Sequence, residues 1–113
     1  MFARLMRLKV VSTNDLHHMV QDKSATVIDV NSHQSWTKAH VPGASNLDPA
    51  TYSERDLPAG KAALLVFYCS NSMYRKAPNA ARRARKMGYD NVHVMSAGIS
   101  GWLDAKLPTE SGA

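Results

Sequence analysis

The residues best suited to chemistry lie in one loop, in which Cys69 is followed by five residues and then by Arg75. The apolar run at 64–68 ends at this cysteine and predicts a buried strand, while the spacing after Arg75 predicts a helix. A thiol between a strand and a helix N-terminus meets main-chain N–H groups and a helix dipole that favour the thiolate. Arg75 adds a permanent cation whose planar set of donors fits an oxyanion. This context favours a reactive nucleophile over the alternative, a buried cysteine that serves only as a small apolar side chain.

The main chain of the loop offers a second way to hold an anion. Successive N–H groups between Cys69 and Arg75 can line a concavity that binds negative charge. The first three loop residues are small or polar and leave room for a ligand, whereas Met73 and Tyr74 are bulkier and are expected at the rim. The candidate substrate-binding residues are therefore Ser70, Asn71, Ser72, Met73, Tyr74 and Arg75.

Strand-like and helix-like segments alternate along the rest of the chain. Apolar and β-branched runs predict strands at 8–11, 25–30, 44–47, 63–68 and 91–95. Helical spacing predicts helices at 12–23, 32–39 and 76–87, a helical turn at 49–55 and a short segment at 99–103. This alternation predicts one α/β domain with a mainly parallel sheet and helices on both faces. Asp29 falls at the carboxyl end of the second strand, where open α/β sheets place their functional loops.

Composition restricts the class of protein further. A chain of 113 residues with 44% apolar residues has the size of a single domain. No apolar run approaches the ~20 residues that a membrane span needs, so no membrane partner is expected. The only cysteine excludes an internal disulfide and suits a reducing compartment. The basic start at 1–9 is interpreted as a mature cytoplasmic N-terminus, the alternative being a chain from which a leader has been removed.

The net charge of +5 indicates attraction to anions. No nucleic-acid partner is expected, because the basic residues of the helix at 76–87 lack the interleaved aromatic residues that stack on bases. A solvated helix face explains this cluster better. No metal or other cofactor is expected either, since the histidines share no ligand spacing. His40 is expected to hydrogen-bond the tight turn at 40–44.

Four stretches of the sequence, in this order, resemble the rhodanese family of sulfurtransferases. They are I-D-V at 28–30, H-V-P-G-A at 40–44, the strand and loop that carry Cys69 and Arg75 at 68–75, and G-Y-D-N-V-H-V-M-S-A-G-I-S-G-W at 88–102. The match extends over most of the chain, with a domain core at about 8–108. The resemblance implies a rhodanese-like fold, in which a parallel five-stranded sheet is flanked by helices.

The resemblance also implies an activity. Cys69 would take a sulfane sulfur from thiosulfate or a similar small anionic donor, hold it as a persulfide, and pass it to cyanide, a thiol or a protein acceptor. Arg75 would attract and orient the donor. Asp29 and His40 would have supporting roles. Asn31 stands where the family commonly has arginine, which removes a charged partner from that position.

The spacing from Cys69 to Arg75 leaves a second enzyme class open. Sulfurtransferase loops commonly place the arginine five positions after the cysteine, and here it is the sixth. This seven-residue loop resembles that of the dual-specificity phosphatases and arsenate reductases that share the fold. Those enzymes usually have histidine before the cysteine, where this chain has Tyr68, and the loop here contains no carboxylic acid. A rhodanese-like domain that only binds or senses is the non-enzymatic alternative.

Overall fold

The computed structural model describes residues 8–112, so the N-terminal segment interpreted above lies mostly outside the described part. Five short strands form one sheet: β1 (Lys9–Val10), β2 (Thr26–Asp29), β3 (Ser45–Asn46), β4 (Leu65–Tyr68) and β5 (Val92–Val94). Four helices connect or follow them: α1 (Thr13–Asp22), α2 (His33–Lys38), α3 (Lys76–Lys86) and α4 (Gly98–Asp104). The predicted α/β architecture is confirmed.

The sheet is parallel throughout, with the strand order β1-β5-β4-β2-β3. β4 lies in the centre between β2 and β5, and its four residues are all buried. In the register of β2 and β4, Asp29 lies opposite Tyr68. The loops that follow these two strands therefore begin side by side at the carboxyl edge of the sheet, where Cys69 lies.

Alternate residues of β4 point into two separate hydrophobic cores. Leu65 and Phe67 pack with an alanine-rich face of α3, and these small side chains let the helix approach the sheet closely. Val66 and Tyr68 pack on the other face with Leu16 of α1, Trp102 of α4 and their neighbours. Helices thus cover both faces of the sheet, as predicted, and the strand that carries Cys69 is enclosed.

Helix ends follow the capping signals in the sequence. The Ser12 hydroxyl accepts the Asp15 N–H at 3.0 Å and starts α1. Gly88, just after α3, has a φ of +105°, as expected for a helix-terminating glycine. Gly43 has a φ of +83°, and the Ala44 N–H donates to the Val41 carbonyl across it, so the tight turn at 40–44 is present.

The helical turn predicted at 49–55 is present in part. The Tyr52 N–H donates to the Asp48 carbonyl at 3.1 Å, as in one turn of an α-helix, and the Asp48 carboxylate accepts the main-chain N–H groups of Ala50 and Thr51. A 3-10 helix follows at Glu54–Asp56, and Ser53 precedes it as the N-cap of a capping box. Among the described residues, no helix is long and apolar enough to cross a membrane.

Candidate active site

Cys69 lies directly after β4, with only 4% of its surface exposed. Its Sγ atom is 3.9 Å from the carbonyl oxygens of Asn71 and Tyr74, within the range in which a thiol donates weakly to oxygen. The loop therefore wraps around the sulfur and returns to it five residues later. This enclosure holds the side chain in place while the loop leaves one side of it open to the cavities described below.

The start of α4 orients the first two peptide groups of the loop. The N–H of Ile99 donates to the Cys69 carbonyl and the N–H of Ser100 to the Ser70 carbonyl, both at 2.9 Å. Because a trans peptide directs its N–H opposite to its C=O, the N–H groups of Ser70 and Asn71 point away from α4. These two peptide groups thus present donors, not acceptors, on the side remote from this helix.

Gly98 makes this contact possible. A Cβ atom at this position would lie 2.5 Å from the carbonyl carbon and oxygen of Ser70 and 2.7 Å from the Asn71 nitrogen, and φ here is +68°. Only glycine combines that backbone conformation with so close an approach. Gly98 thus supports the Cys69 loop, a role that the sequence pattern did not reveal.

Part of the expected anion nest is available. Within residues 8–112, the N–H groups of Ser70, Asn71, Ser72 and Arg75 donate to no protein acceptor. The remaining two loop N–H groups are used: the Met73 N–H donates to Asn71 Oδ1 and the Tyr74 N–H to the Asn71 carbonyl. Asn71 therefore shapes the loop from within, and four donors are left for a bound anion.

Asn31 connects the loop after β2 to the loop that carries Cys69. Its Oδ1 accepts the Ser70 hydroxyl at 2.8 Å, and its own N–H donates to Asp29 Oδ1 at 2.8 Å. The Asn46 amide donates to the main-chain carbonyls of Asp29 and Asn31, which fixes the same segment from β3. Asn31 was noted in the sequence only as the place of a missing arginine, yet a neutral hydrogen bond connects the two loops here.

Asp29 lies under this connection. The carboxyl group is fully buried, and its Oδ2 has no hydrogen-bond partner among the described residues. Burial raises the pKa of Asp29, and the neighbouring Tyr68 hydroxyl and the Asn31 N–H only partly offset it. Among the described contacts, Asp29 reaches the Cys69 loop through Asn31, and its supporting role stays a prediction.

His40 is tied to α2 and to the C-terminal segment. Its ring stacks on Trp36 at 4.2 Å, and Nδ1 lies 2.7 Å from the Trp36 carbonyl oxygen. The expected direct bond from the ring to the turn at 40–44 is absent among the described contacts. The connection to the turn runs through Glu110, whose Oε1 lies 3.8 Å from His40 Nε2 and accepts the Gly43 N–H.

Two cavities formed by the described residues adjoin Cys69. The larger, of about 260 Å³, is lined by Asn31, Cys69, Ser70, Tyr74 and Lys76. The smaller, of about 30 Å³, lies toward β5 and is lined in part by Ser72, Met95 and Ser96. Cys69 lines both, so its side chain separates an open, partly polar space from a narrow one.

The cations beside Cys69 differ from the expectation. Arg75 is exposed at the N-cap position of α3, lines neither cavity, and makes no side-chain hydrogen bond or ion pair with residues 8–112. Lys76 is exposed, as expected for a solvated helix face, and it also lines the larger cavity. Met73 and Tyr74 are 82% and 56% exposed and lie at the rim, as predicted.

Fold and site together define an α/β domain with a cysteine-bearing loop at the carboxyl edge of a parallel sheet. The model of the rhodanese-like domain matches residues 12–105, and the chain belongs to this family. Its relatives include the thiosulfate sulfurtransferase GlpE of Shewanella oneidensis, which is 29% identical over 97 residues. That match covers 86% of this chain and 94% of GlpE.

Two further comparisons differ in the size of the matched protein. The HTH-type transcriptional regulator Rv0324 of Mycobacterium tuberculosis is 33% identical over 88 residues, a match that covers 78% of this chain but only 38% of the regulator. The human single-domain sulfurtransferase TSTD1 superposes with a TM-score of 0.70 at 20% identity, covering 87% of this chain and 97% of TSTD1. The same domain therefore occurs both alone and within a larger regulator.

Proposed function

We propose that this protein is a sulfurtransferase that carries a sulfane sulfur on Cys69. The observation that supports this most is the position of Cys69, which lines an open cavity and heads a loop with four unused main-chain N–H groups. A persulfide anion needs hydrogen-bond donors rather than a base, and main-chain N–H groups that are already in position can stabilise its charge. The likeness to a thiosulfate sulfurtransferase along almost its whole length supports the same reaction class.

In the first half-reaction, the Cys69 thiolate attacks the outer sulfur of thiosulfate. A bond forms between Sγ and that sulfur, the S–S bond of thiosulfate breaks, and sulfite leaves with the bonding electron pair. The product is a Cys69 persulfide anion, so charge is conserved without any oxidant. Arg75 attracts the doubly charged donor from the loop end, where its exposed guanidinium has no protein partner among residues 8–112.

In the second half-reaction, the persulfide anion takes a proton from water, and an acceptor thiolate or cyanide attacks its outer sulfur. The acceptor that now carries the sulfur gives this proton back to water. The new bond joins the acceptor to that sulfur, and Cys69 leaves as a thiolate ready for another cycle. The protein contributes position and donors rather than acid–base groups, which agrees with a loop that contains no carboxylic acid.

Sulfite release from thiosulfate tests the proposal directly. The unmodified protein is expected to release sulfite continuously with cyanide present and one equivalent per protein without it. Cys69→Ser should release none. Arg75→Ala should raise the KM for thiosulfate about tenfold through the loss of one charge-assisted interaction, while Arg85→Ala on α3 serves as the matched control.

The loop length supports a second candidate, hydrolysis of a phosphate ester or reduction of arsenate. The seven residues from Cys69 to Arg75 give the loop length that resembles loops binding a tetrahedral oxyanion. An aryl phosphate, and arsenate with a thiol reductant, are the matching substrates. Turnover of either, without sulfite release from thiosulfate, would replace the sulfurtransferase proposal. Inactivity in every assay, with Cys69→Ala folded normally, would favour a binding domain.

A further inference from the structure

A histidine with a buried ring nitrogen lies near the edge of the sheet, away from the reactive cysteine. His93 is the middle residue of β5, between Lys9 of β1 and Val66 of β4. The side chains of Val92 and Val94 pack into the core that α3 covers, so the ring of His93 points to the opposite face of the sheet. The proposed reaction does not use this residue, and its surroundings indicate another role.

Only one ring nitrogen of His93 has a partner. Nε2 lies 3.0 Å from Oδ1 of Asn91, which accepts hydrogen bonds, so the proton of the neutral ring belongs on Nε2. Nδ1 is buried and has no hydrogen-bond partner among the described residues. His40 differs, because acceptors lie near both of its nitrogens, the Trp36 carbonyl oxygen and the Glu110 carboxylate. A second proton on His93 would therefore create a charged N–H group that no acceptor receives.

The groups around this ring add to the cost of that charge. Burial, and after it the charge of Lys9 across the β1–β5 pair, lower the pKa of His93 from its ordinary value of 6.5. β4 contributes the apolar Val66 on this face, and the ring of His17 on α1 lies against Trp102. The side chains that α1 and α4 contribute to this core are Leu16, Met19, Val20, Ile99 and Trp102. Within the described part of the chain, no carboxylate acts on His93 to offset a positive charge.

β1 is the strand that such a charge would displace. It has two exposed residues, and of the described strands it pairs with β5 alone. The Val11 N–H ends this pairing and donates to the Val94 carbonyl at 2.9 Å. β4, in contrast, has four buried residues and pairs with a strand on each side. Opening on the side of β1 costs least, and it moves Lys9 away and lets water reach Nδ1 of His93.

We propose that His93 is an acid-sensitive switch, which holds the edge strand β1 on β5 while its ring is neutral and releases β1 when Nδ1 takes up a proton. The open form binds this proton more tightly, because water solvates the charged ring and Lys9 is distant. The stabilisation of the closed form is complete above the ordinary pKa of histidine and is lost as pH falls toward the lower pKa of the closed form. The switch is independent of the proposed function, because no group of the Cys69 loop takes part in it.

Two main-chain N–H groups report on the two sides of β5. The Val11 N–H donates to the Val94 carbonyl beside β1, and the Met95 N–H donates to the Phe67 carbonyl of β4, both at 2.9 Å. Their hydrogen exchange can be followed by NMR on the full chain from pH 7 to pH 5. The ratio of the intrinsic to the measured exchange rate gives a protection factor at each pH. We expect protection at Val11 to fall about 3- to 10-fold over this range, while Met95 keeps its protection.

Substitutions of His93 test the cause of this fall. His93→Leu removes the nitrogen that takes up the proton, so protection at Val11 should no longer depend on pH. His93→Gln gives the same test if the apolar replacement does not fold. Lys9→Gln should make the fall smaller, and His18→Gln, at an exposed histidine of α1, is the matched control and should leave it unchanged. Protection at Val11 that does not change with pH in the unmodified protein, an equal fall at Met95, or a fall that persists without His93 would overturn the inference.

Discussion

The Ser70 hydroxyl donates to Asn31 Oδ1 at 2.8 Å and thereby joins the Cys69 loop to the loop after the neighbouring strand. Asn31 is only 7% exposed, so removal of its amide leaves the Ser70 hydroxyl without this partner. A hydrogen bond of this kind contributes about 1 kcal/mol. We expect Asn31→Ala and Ser70→Ala each to slow persulfide formation several-fold.

A double-mutant cycle identifies the cause of that loss. If the two residues act through one bond, Asn31→Ala with Ser70→Ala should cost little more than either change alone. Ser72→Ala, in the same loop but exposed and without a described side-chain bond, is the control. Fully additive losses would show that the two side chains act independently.

Gly98→Ala is expected to damage both stability and transfer. The added Cβ would lie 2.5 Å from the Ser70 main chain, in addition to the strain of a φ of +68°. The loop that orients the Ser70 and Asn71 N–H groups would have to move. We expect a loss of unfolding free energy of about 2 kcal/mol or more, and at least a tenfold slower persulfide formation.

Gly43→Ala measures the cost of backbone strain without the steric clash that a Cβ atom would cause at Gly98. Gly43 has a φ of +83°, but a Cβ atom added to it would meet nothing within 4 Å. Its substitution should destabilise the protein less than that of Gly98 and leave persulfide formation unchanged once folding is complete. Urea unfolding and single-turnover sulfite release provide the two measurements, and equal effects of both substitutions on the rate would refute the proposed support of the loop.

Asp29 should make stability fall as pH rises. Its folded-state pKa is raised by burial above the ordinary value of 3.8, so the folded protein holds this proton more tightly than the unfolded chain. The stabilisation from Asp29 is complete below the unfolded pKa and is lost as pH rises through the folded pKa. Asp29→Asn removes this loss and retains an acceptor for the Asn31 N–H. The variant should therefore gain stability relative to the unmodified protein between acid and neutral pH.

Urea unfolding of both proteins across this pH range tests the prediction, with the exposed Asp90→Asn as control. A difference in unfolding free energy that does not change with pH would contradict a raised pKa at Asp29.

Tyr52 should contribute to loss of stability in alkali. Burial raises the pKa of Tyr52 to about 12, and its hydroxyl donates to the Ala80 carbonyl of α3 at 2.6 Å. The unfolded chain loses this proton near pH 10, so stability falls between about pH 10 and pH 12, by about 2 kcal/mol for this group. Tyr52→Phe should be less stable at pH 7 but should lose less unfolding free energy as the pH rises from 10 to 12.

Absorbance titration of tyrosinate measures the pKa, and urea unfolding at pH 7 and in alkali measures the stability, with exposed Tyr74→Phe as control.

Much of the fold follows from local patterns in the sequence. The run that became β2 is β-branched, the run that became β4 is apolar, and the alanine face of α3 recurs at helical spacing, so each was predictable without tertiary contacts. The helical turn predicted at 49–55 is divided into one turn at 48–52 and a 3-10 helix at Glu54–Asp56, and the Asp48 carboxylate accepts two N–H groups in the first. Side-chain bonds of this kind are not visible in apolar spacing.

The site was predictable only where it is local in sequence. Cys69 and the rim residues Met73 and Tyr74 belong to one loop, whereas Asn31 and Gly98 reach that loop from 39 and 28 positions away. The adjacency of β2 and β4 would have been the signal for Asn31, because parallel neighbours end at the same edge. The spacing of residues in the sequence does not show whether Arg75 or Lys76 lines the cavity, because the turn at the start of the helix decides this.

Intact mass after thiosulfate treatment tests the central proposal most directly. The unmodified protein should gain the mass of one sulfur atom and lose it again on addition of cyanide, because the outer sulfur sits on Cys69 as a persulfide. Cys69→Ser should remain at its original mass. An unchanged mass in the folded unmodified protein, or an equal gain in Cys69→Ser, would contradict the proposal.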